Sequence, residues 1–262
     1  MNLDAAISTL LAEFESNSWF TATFWPESRE RVCMMMSDLL EHIPSPAKVF
    51  DVGCFNGFLS FLMSRLGYDV TATDGEPPQD APAVLEKANA RFIRSNLNTS
   101  DPFATIADGA FDAIIMGEVI EHVLNHPLGL MKEVARVAKP NGLLLMTTPN
   151  PSTVMNAARL LAGRTLLWGT DDFINLPKMD GSESIHKADI HYREYTSAEL
   201  RGLISSAGFT VERISYLSMG ASKAQSAFKR LLKTAPGLKS IFHSRLFGHT
   251  QYILARRNRG CD

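Results

Sequence analysis

From Lys48 onward the sequence alternates between two hydrophobic patterns, and that alternation limits the fold more than any other feature. Short apolar runs suited to strands occur at 48–52, 69–73, 91–94, 111–116 and 142–148. Between them, residues near 57–66, 81–89, 118–123 and 128–138 carry helical periodicity. Strands that are apolar on both faces, separated by helices, belong to a parallel sheet covered on both sides. The pattern resumes late in the chain. Thr196 and Glu199 form a capping box for a helix running to Ala207, and Gly208 stops it. Residues 209–217 and 249–256 read as the last two strands. With 262 residues, 45% of them hydrophobic, the chain can build one large α/β domain with a cap, or two small domains.

Two helices precede the alternation, one over residues 4–15 and one from Glu27 to His42, where the prolines of IPSPAK end it. Between them lies SNSWFTATFWPES, with Trp19, Phe20, Phe24 and Trp25. These aromatics read either as a lid whose π-faces favour a cation or as the seam that docks the helices. The expected organisation is an N-terminal helical cap at 1–45 and a main domain at 46–262. The main domain carries an irregular insertion at about 150–190, with a helix at 152–162, of a length that serves as a lid or substrate wall. A basic segment at about 219–248 contains the helical SKAQSAFKRLLK.

The formal net charge of -2 does not call for a nucleic-acid partner. Residues 213–262, however, hold ten Lys and Arg against one acid, Asp262. That stretch reads as a solvated surface or as a peripheral contact for anionic lipid or phosphate. Cys33, Cys54 and Cys261 form no CxxC pair, so a reduced, cytoplasmic protein is expected. No apolar run reaches the roughly 18–20 residues of a membrane span. The first residues, MNLDAAISTLLAEFESNSW, lack the basic flank of a signal peptide.

The first strand ends in VFDVGCFNGFLS, where Gly53 and Gly57 remove side chains at a tight turn into a helix. A parallel sheet binds ligands beyond the C-terminal ends of its strands. The turn matches neither G-x-G-x-x-G nor a phosphate loop ending in Gly-Lys-Ser/Thr. The second strand, YDVTATD, ends at Asp74, seventeen residues after Gly57. A carboxylate there can accept hydrogen bonds from both ribose hydroxyls. The ligand is therefore read as a nucleoside without provision for a diphosphate.

The set DVGCFNG, Asp74, FDAIIMGEVIEHVLNHP and AKPNGLLLMTTPN resembles a class I S-adenosylmethionine-dependent methyltransferase, over roughly residues 45–217. The resemblance implies a Rossmann-like α/β fold with a seven-stranded, mostly parallel sheet and helices on both faces. It implies S-adenosyl-L-methionine as cofactor and S-adenosyl-L-homocysteine as product. In the family the turn reads Asp-x-Gly-x-Gly-x-Gly, so Phe55 replaces the middle glycine and narrows the space there. By position, Asp51 orients the turn near the methionine amino group. Gly53, Cys54, Phe55, Gly57 and Gly75 lie along the cofactor, and Asp74 holds the ribose. Asn96 reads adenine, Leu97 offers its backbone N–H to the ring, and Gly117 and Glu118 line the methionine part. The alternative is that Asp51 and Asn96 merely cap turns.

Methyl transfer requires an acceptor in line with the donor bond, and a hydroxyl acceptor must also lose its proton. His191, in HYREYT, is the expected base, since related small-molecule enzymes place acceptor-site residues in this region. Tyr192, Arg193 and Tyr195 would bind an acidic or polyhydroxyl acceptor. The competing reading is that His191 and Arg193 only tie the lid to the sheet. In EVIEH, helical spacing would put Glu118, Glu121 and His122 on one face, and Glu118 and His122 join His191 as candidate catalytic residues; in the alternative reading Glu118 lines the cofactor pocket and His122 packs under it. That set, completed by His126, His186 or His191, resembles the metal site of small-RNA 2′-O-methyltransferases, and some ubiquinone-pathway O-methyltransferases are similar. No metal is assigned, since many relatives with this pentapeptide are not known to need one. The leading expectation is methyl transfer to a hydroxyl of a small molecule: a sugar, glycolipid or phenol. The alternatives are an RNA 2′-O-methyltransferase with a metal at EVIEH and a non-catalytic methyltransferase-like binding protein.

Overall fold

The computed structural model describes residues 3–14, 24–75, 81–167, 191–218 and 244–259. Two helices lead, α1 (Leu3–Glu13) and α2 (Trp25–His42), followed by β1 (Lys48–Val52), α3 (Phe58–Arg65) and β2 (Asp69–Asp74). Next come α4 (Ala81–Lys87), β3 (Arg91–Arg94), β4 (Phe111–Gly117), a 3-10 turn (Ile120–His122) and α5 (Pro127–Val137). The chain continues with β5 (Ala138–Pro149), α6 (Val154–Leu161), α7 (Ser197–Ser206), β6 (Phe209–Leu217) and β7 (Thr250–Arg257).

The seven strands form one sheet in the order β3-β2-β1-β4-β5-β7-β6. All pairs from β3 to β5 are parallel, and β7 runs antiparallel to both β5 and β6. This is the expected Rossmann-like, mostly parallel arrangement. Side chains alternate along each strand, so each face has its own core. Phe50, Ile114, Leu144 and Ile253 meet Leu130, Met131 and Val134 of α5 and Leu200 and Ile204 of α7. Val49, Ala113, Ile115 and Leu145 meet Met35 and Leu39 of α2 and Phe58 and Phe61 of α3. Each of these fully buried side chains other than Ala113 contributes about 1.5–3 kcal/mol of hydrophobic stabilisation, before entropy is counted.

Strand order reverses between β1 and β4, where Val52 and Met116 are register partners. A crevice at that switch point is where an open α/β sheet takes its ligand. Two local differences from the sequence reading matter, and the place of Trp25 favours one of its two readings. Strand β5 begins four residues early, because Ala138 pairs with Phe111 across a bulge in β4. Residues 118–123 do not form a helix with a common face; only Ile120–His122 turn, as a 3-10 helix. Trp25 packs edge-on against Phe58, 5.5 Å between ring centres, so it serves the docking seam. Trp19, Phe20 and SKAQSAFKRLLK lie outside the described residues. Among the described residues no helix is long and apolar enough to cross a membrane.

Helix α2 is held to the far edge of the sheet by a buried polar contact. The Asp38 carboxylate accepts hydrogen bonds from the Tyr252 hydroxyl and the Arg213 guanidinium. Tyr252 is fully buried, so its hydroxyl has no water to turn to. Asp38→Ala is expected to destabilise the protein by about 2–3 kcal/mol, the cost of stranding a buried hydroxyl and loosening the ion pair. Urea unfolding with a change below about 0.5 kcal/mol would contradict this.

Candidate functional site

The glycine turn is stitched to the end of β2. Gly53 and Cys54 both donate to the Thr73 carbonyl, at 2.8 and 3.0 Å, and the Phe55 N–H donates to Asp74 Oδ2 at 2.9 Å. Gly53 and Gly57 have φ of 72° and 75°, in the left-handed region that glycine tolerates. A Cβ on Gly53 would lie 2.5 Å from Val119 Cγ2. Phe55 also has positive φ, 47°, which explains why its family counterpart is glycine. Phe55 is 36% exposed and its ring lies 6.1 Å from that of Phe24, so Phe24 belongs to the rim of the turn.

Asp51 lies beneath this turn and not on its surface. It is buried and accepts from Ser60 Oγ at 2.6 Å, which fixes the first turn of α3. Burial pushes its carboxyl up to about 6; Ser60 pulls it back and the Asp74 charge adds to the rise. Burial likewise raises the Cys54 thiol, leaving it an inert packing group.

Beyond β2, Gly75 accepts from Arg94 Nε at 2.9 Å, and the Ser95 N–H donates to the Asp74 carbonyl. Asn96 is exposed, and its Oδ1 accepts from the Asn98 N–H at 3.0 Å, a turn-capping contact. Leu97 packs half-buried against the core. Asn98, which sequence reasoning missed, joins this loop to the one after EVIEH: its Oδ1 accepts from Leu124 N–H at 2.7 Å.

Glu118 departs from the expected helix face. Its φ is 56°, and its N–H donates to the Thr147 carbonyl at 2.9 Å. At this turn the group of possible metal ligands is Glu121, His122 and His191, with ligand atoms within 4.8 Å of one another, and Glu118 is not part of it. Nor is His126, whose Nδ1 accepts from Gly129 N–H at 3.3 Å and caps α5. His186 lies outside the described residues.

Glu121 is fully buried, with Oε2 accepting from Thr148 Oγ1 at 2.9 Å. Burial, and then the Glu118 charge, hold its carboxyl well above the usual carboxylate range; Arg31 acts in the opposite direction. Arg31, on α2, is a second residue that the sequence did not flag. Its Nη1 lies 3.4 Å from where a Cβ on Gly117 would stand. It also donates to Ser28 Oγ at 2.8 Å and lies over the Phe24 ring.

The backbone bolts His191 to the EVIEH turn. Tyr192 and Arg193 N–H groups donate to the Glu121 carbonyl at 2.8 and 3.3 Å. The His191 ring meets that of His122 edge to face, 5.0 Å between centres. Arg193 turns away, lying over the buried Tyr195 ring and pairing with Glu199, which suits a tie more than a ligand contact.

The residues present fit an S-adenosylmethionine-type cofactor. Glycines open the switch-point turn, and Asp74 stands at the end of the next strand. Glu118 Oε1, Glu121 Oε1 and Thr147 Oγ1 are buried without a hydrogen-bond partner among the described residues. Buried polar atoms of this kind call for a partner from outside the chain.

The raised carboxyl of Asp51 has a pH signature. A carboxyl with a folded pKa above its unfolded value, about 6 against 3.8, stabilises the fold most at low pH, and that contribution is lost as pH rises from 4 to 6. Asp51→Asn should therefore gain on wild type by roughly 3 kcal/mol over that window, from the 1.36 kcal/mol per pKa unit of linkage. Parallel urea curves for the two proteins from pH 4 to 7 would contradict it.

Comparison with known proteins agrees with this geometry. A family model described as a methyltransferase domain matches residues 24–214. A ubiquinone biosynthesis O-methyltransferase of Xanthomonas axonopodis pv. citri is 28% identical over 179 residues, covering 66% of each chain. One from Xanthomonas campestris pv. campestris is 36% identical over 110 residues, 40% of this chain and 44% of the relative. The chain thus spans less than two thirds of the length of these curated relatives. Among solved structures, Burkholderia thailandensis 1,6-didemethyltoxoflavin-N1-methyltransferase, with S-adenosylhomocysteine bound, is 16% identical with a TM-score of 0.56, covering 97% of this chain and 90% of that one. The PH0226 protein of Pyrococcus horikoshii OT3 shares the fold at 16% identity and a TM-score of 0.57, over 93% and 100% of the two chains. With a family match over most of its length and the same seven-stranded fold as the solved methyltransferases, the chain belongs to the methyltransferase-domain family.

Proposed function

We propose that the protein methylates a hydroxyl of a small molecule: a sugar, a glycolipid or a phenol. The observation that carries this reading is the pair of hydrogen bonds from the Tyr192 and Arg193 N–H groups to the Glu121 carbonyl, which sets the preceding His191 imidazole beside the turn that follows β4. An imidazole is the natural base for a hydroxyl that must lose its proton near neutral pH. The relatives that are named for O-methylation support the same chemistry.

When bound, S-adenosylmethionine supplies an electrophilic methyl group on a sulfonium. The chain's own residues then have separate tasks. Asp74 accepts from the ribose hydroxyls, while Gly53, Cys54, Phe55, Gly57 and Gly75 bring backbone close to the nucleoside and methionine. Asn96 and Leu97 face the adenine. Gly117, Glu118 and Thr147 line the methionine portion, with Arg31 available for a carboxylate. Asp51 acts through the turn it braces. His191 receives the hydroxyl proton as the acceptor oxygen attacks, and Tyr192 stands beside it for acceptor contact. The basic segment at 219–248 would suit a phosphorylated or lipid-linked acceptor.

A second reading of the same site rests on the Glu121–His122–His191 cluster, which offers two imidazoles and a carboxylate to a divalent cation. It would accompany an RNA ribose acceptor, against which the net charge of -2 weighs. A non-catalytic binding protein would retain Asp74 and the glycines and turn over nothing.

Calorimetric titration with S-adenosylhomocysteine, followed by a screen of phenols, sugars and lipid-linked hydroxyls, separates these readings. Turnover on a small hydroxyl compound supports the proposal. Salt-sensitive RNA methylation replaces it, and tight binding without turnover on any acceptor favours the binding protein. Asp74→Ala should weaken S-adenosylhomocysteine binding by ~1–3 kcal/mol through lost charge-assisted bonds. Unchanged affinity would remove Asp74 from the site. His191→Ala should lower turnover by about 10²–10⁴-fold at nearly constant cofactor affinity. Full activity in that variant would reject the base, and loss of rate on chelation would favour the cation.

A further inference from the structure

His191 does not stand alone. Its Nδ1 lies 3.2 Å from Glu194 Oε1, three residues along the same segment. The Glu194 side chain is only 13% exposed, and that of His191 31%. From these contacts we infer that Glu194 is the positioning residue of the site, fixing which nitrogen of His191 carries the proton and which faces chemistry. This rests on the reading of His191 as the base.

The argument is one of donor and acceptor inventory. An ionised carboxylate can only accept, so the nitrogen bonded to Glu194 must carry hydrogen. In a neutral imidazole that leaves the lone pair on Nε2. The base is thus held in the tautomer that can take a proton at Nε2, and the positive charge gained at that moment is met by the carboxylate at Nδ1. The acceptor oxygen would form its new bond to the methyl carbon as the carbon–sulfonium bond breaks, the electron pair leaving with sulfur as the neutral thioether of S-adenosylhomocysteine; the hydroxyl proton would end on Nε2, and Glu194 takes no proton in the exchange.

Ring orientation is fixed by three contacts from two elements. The 3-10 turn supplies the His122 ring edge to face and the Glu121 carbonyl, which takes the N–H groups of the next two residues. Glu194 supplies the third. The segment then enters the Thr196 capping box, with Glu199 Oε2 accepting from the Thr196 N–H at 2.8 Å, so Glu194 is anchored on its C-terminal side as well. Such bracing is what a base needs, since misplacement by an ångström costs about 10²-fold in rate.

The experiment reads the tautomer directly, with no acceptor present. Long-range nitrogen-15 to proton spectra of histidine-labelled full-length protein resolve the two ring nitrogens of each imidazole, and a His191→Gln spectrum assigns the signal. Wild type should show His191 protonated at Nδ1. Glu194→Ala should move it towards an Nε2-protonated or mixed form, and Glu194→Gln, whose amide oxygen can still accept, should keep the wild-type tautomer. An unchanged His191 tautomer in Glu194→Ala overturns the inference. In the acceptor screen, Glu194→Ala should reduce kcat by about 10–100-fold with S-adenosylhomocysteine affinity unchanged, and Glu194→Gln should recover part of it. If Glu194→Ala shifts the tautomer while His191→Ala keeps full rate, the positioning stands and the base reading fails. If His191→Ala is inactive while Glu194→Ala matches wild type in tautomer and rate, the base stands and the role of Glu194 is lost. Should Glu194→Ala not fold, Glu194→Gln showing Nε2 protonation would equally overturn the inference.

Discussion

The site depends on the hydrogen bonds that fasten the turn after β1 to the last two residues of β2. One carbonyl, that of Thr73, takes the N–H groups of Gly53 and Cys54, and the adjacent Asp74 carboxylate takes that of Phe55. The turn therefore cannot move without the acid, nor the acid without the turn. Phe55 sits at φ 47°, a conformation that costs an ordinary residue roughly 1–2 kcal/mol. The charge-assisted bond to Asp74 and the contact with Phe24 offset that cost. A bulky residue thus occupies a glycine position with the turn intact, and its ring faces the N-terminal segment.

Much of this was legible in the chain because it depends on local pattern. Continuous apolar runs gave the strands, Thr196 and Glu199 gave the capping box, and the closeness of Asp74 to the glycines followed from parallel order. What escaped was set by contacts distant in sequence. Strand β5 starts at Ala138 because Phe111 pairs with it, which no local propensity encodes. EVIEH has helical spacing, but Glu118 is drawn out of helical geometry by the Thr147 carbonyl on the neighbouring strand. Periodicity counts residues; it does not see an acceptor waiting on the next strand. Arg31 and Asn98 were invisible for the same reason, since a helix surface arginine and a loop asparagine acquire meaning only from what the fold sets beside them.

Two buried carboxylates, Asp51 and Glu121, are built alike. Each has one oxygen satisfied by a hydroxyl from a neighbouring element, Ser60 Oγ for the first and Thr148 Oγ1 for the second. Each is pushed upward chiefly by burial. A hydroxyl and a backbone N–H do not offset the burial of either anion, because desolvation costs several kcal/mol per ion. A fold selected for stability alone would replace both with apolar groups of similar shape.

That they are carboxylates bears on what the crevice is for. Glu121 Oε1, Glu118 Oε1 and Thr147 Oγ1 are buried without a partner among the described residues, and all belong to the turn after β4 or to the strand beside it. A donor-rich cation placed there would satisfy the oxygens and favour the ionised acids at once. S-adenosylmethionine brings an ammonium and a sulfonium to such a crevice. These three side chains are thus chemically suited to such a ligand, and stability given up at a site is commonly the counterpart of function there. The direction of coupling follows from linkage: a ligand that prefers the ionised Glu121 carboxyl, which burial holds above the usual range, must lower its pKa on binding, and by reciprocity it binds more tightly as pH rises through that range.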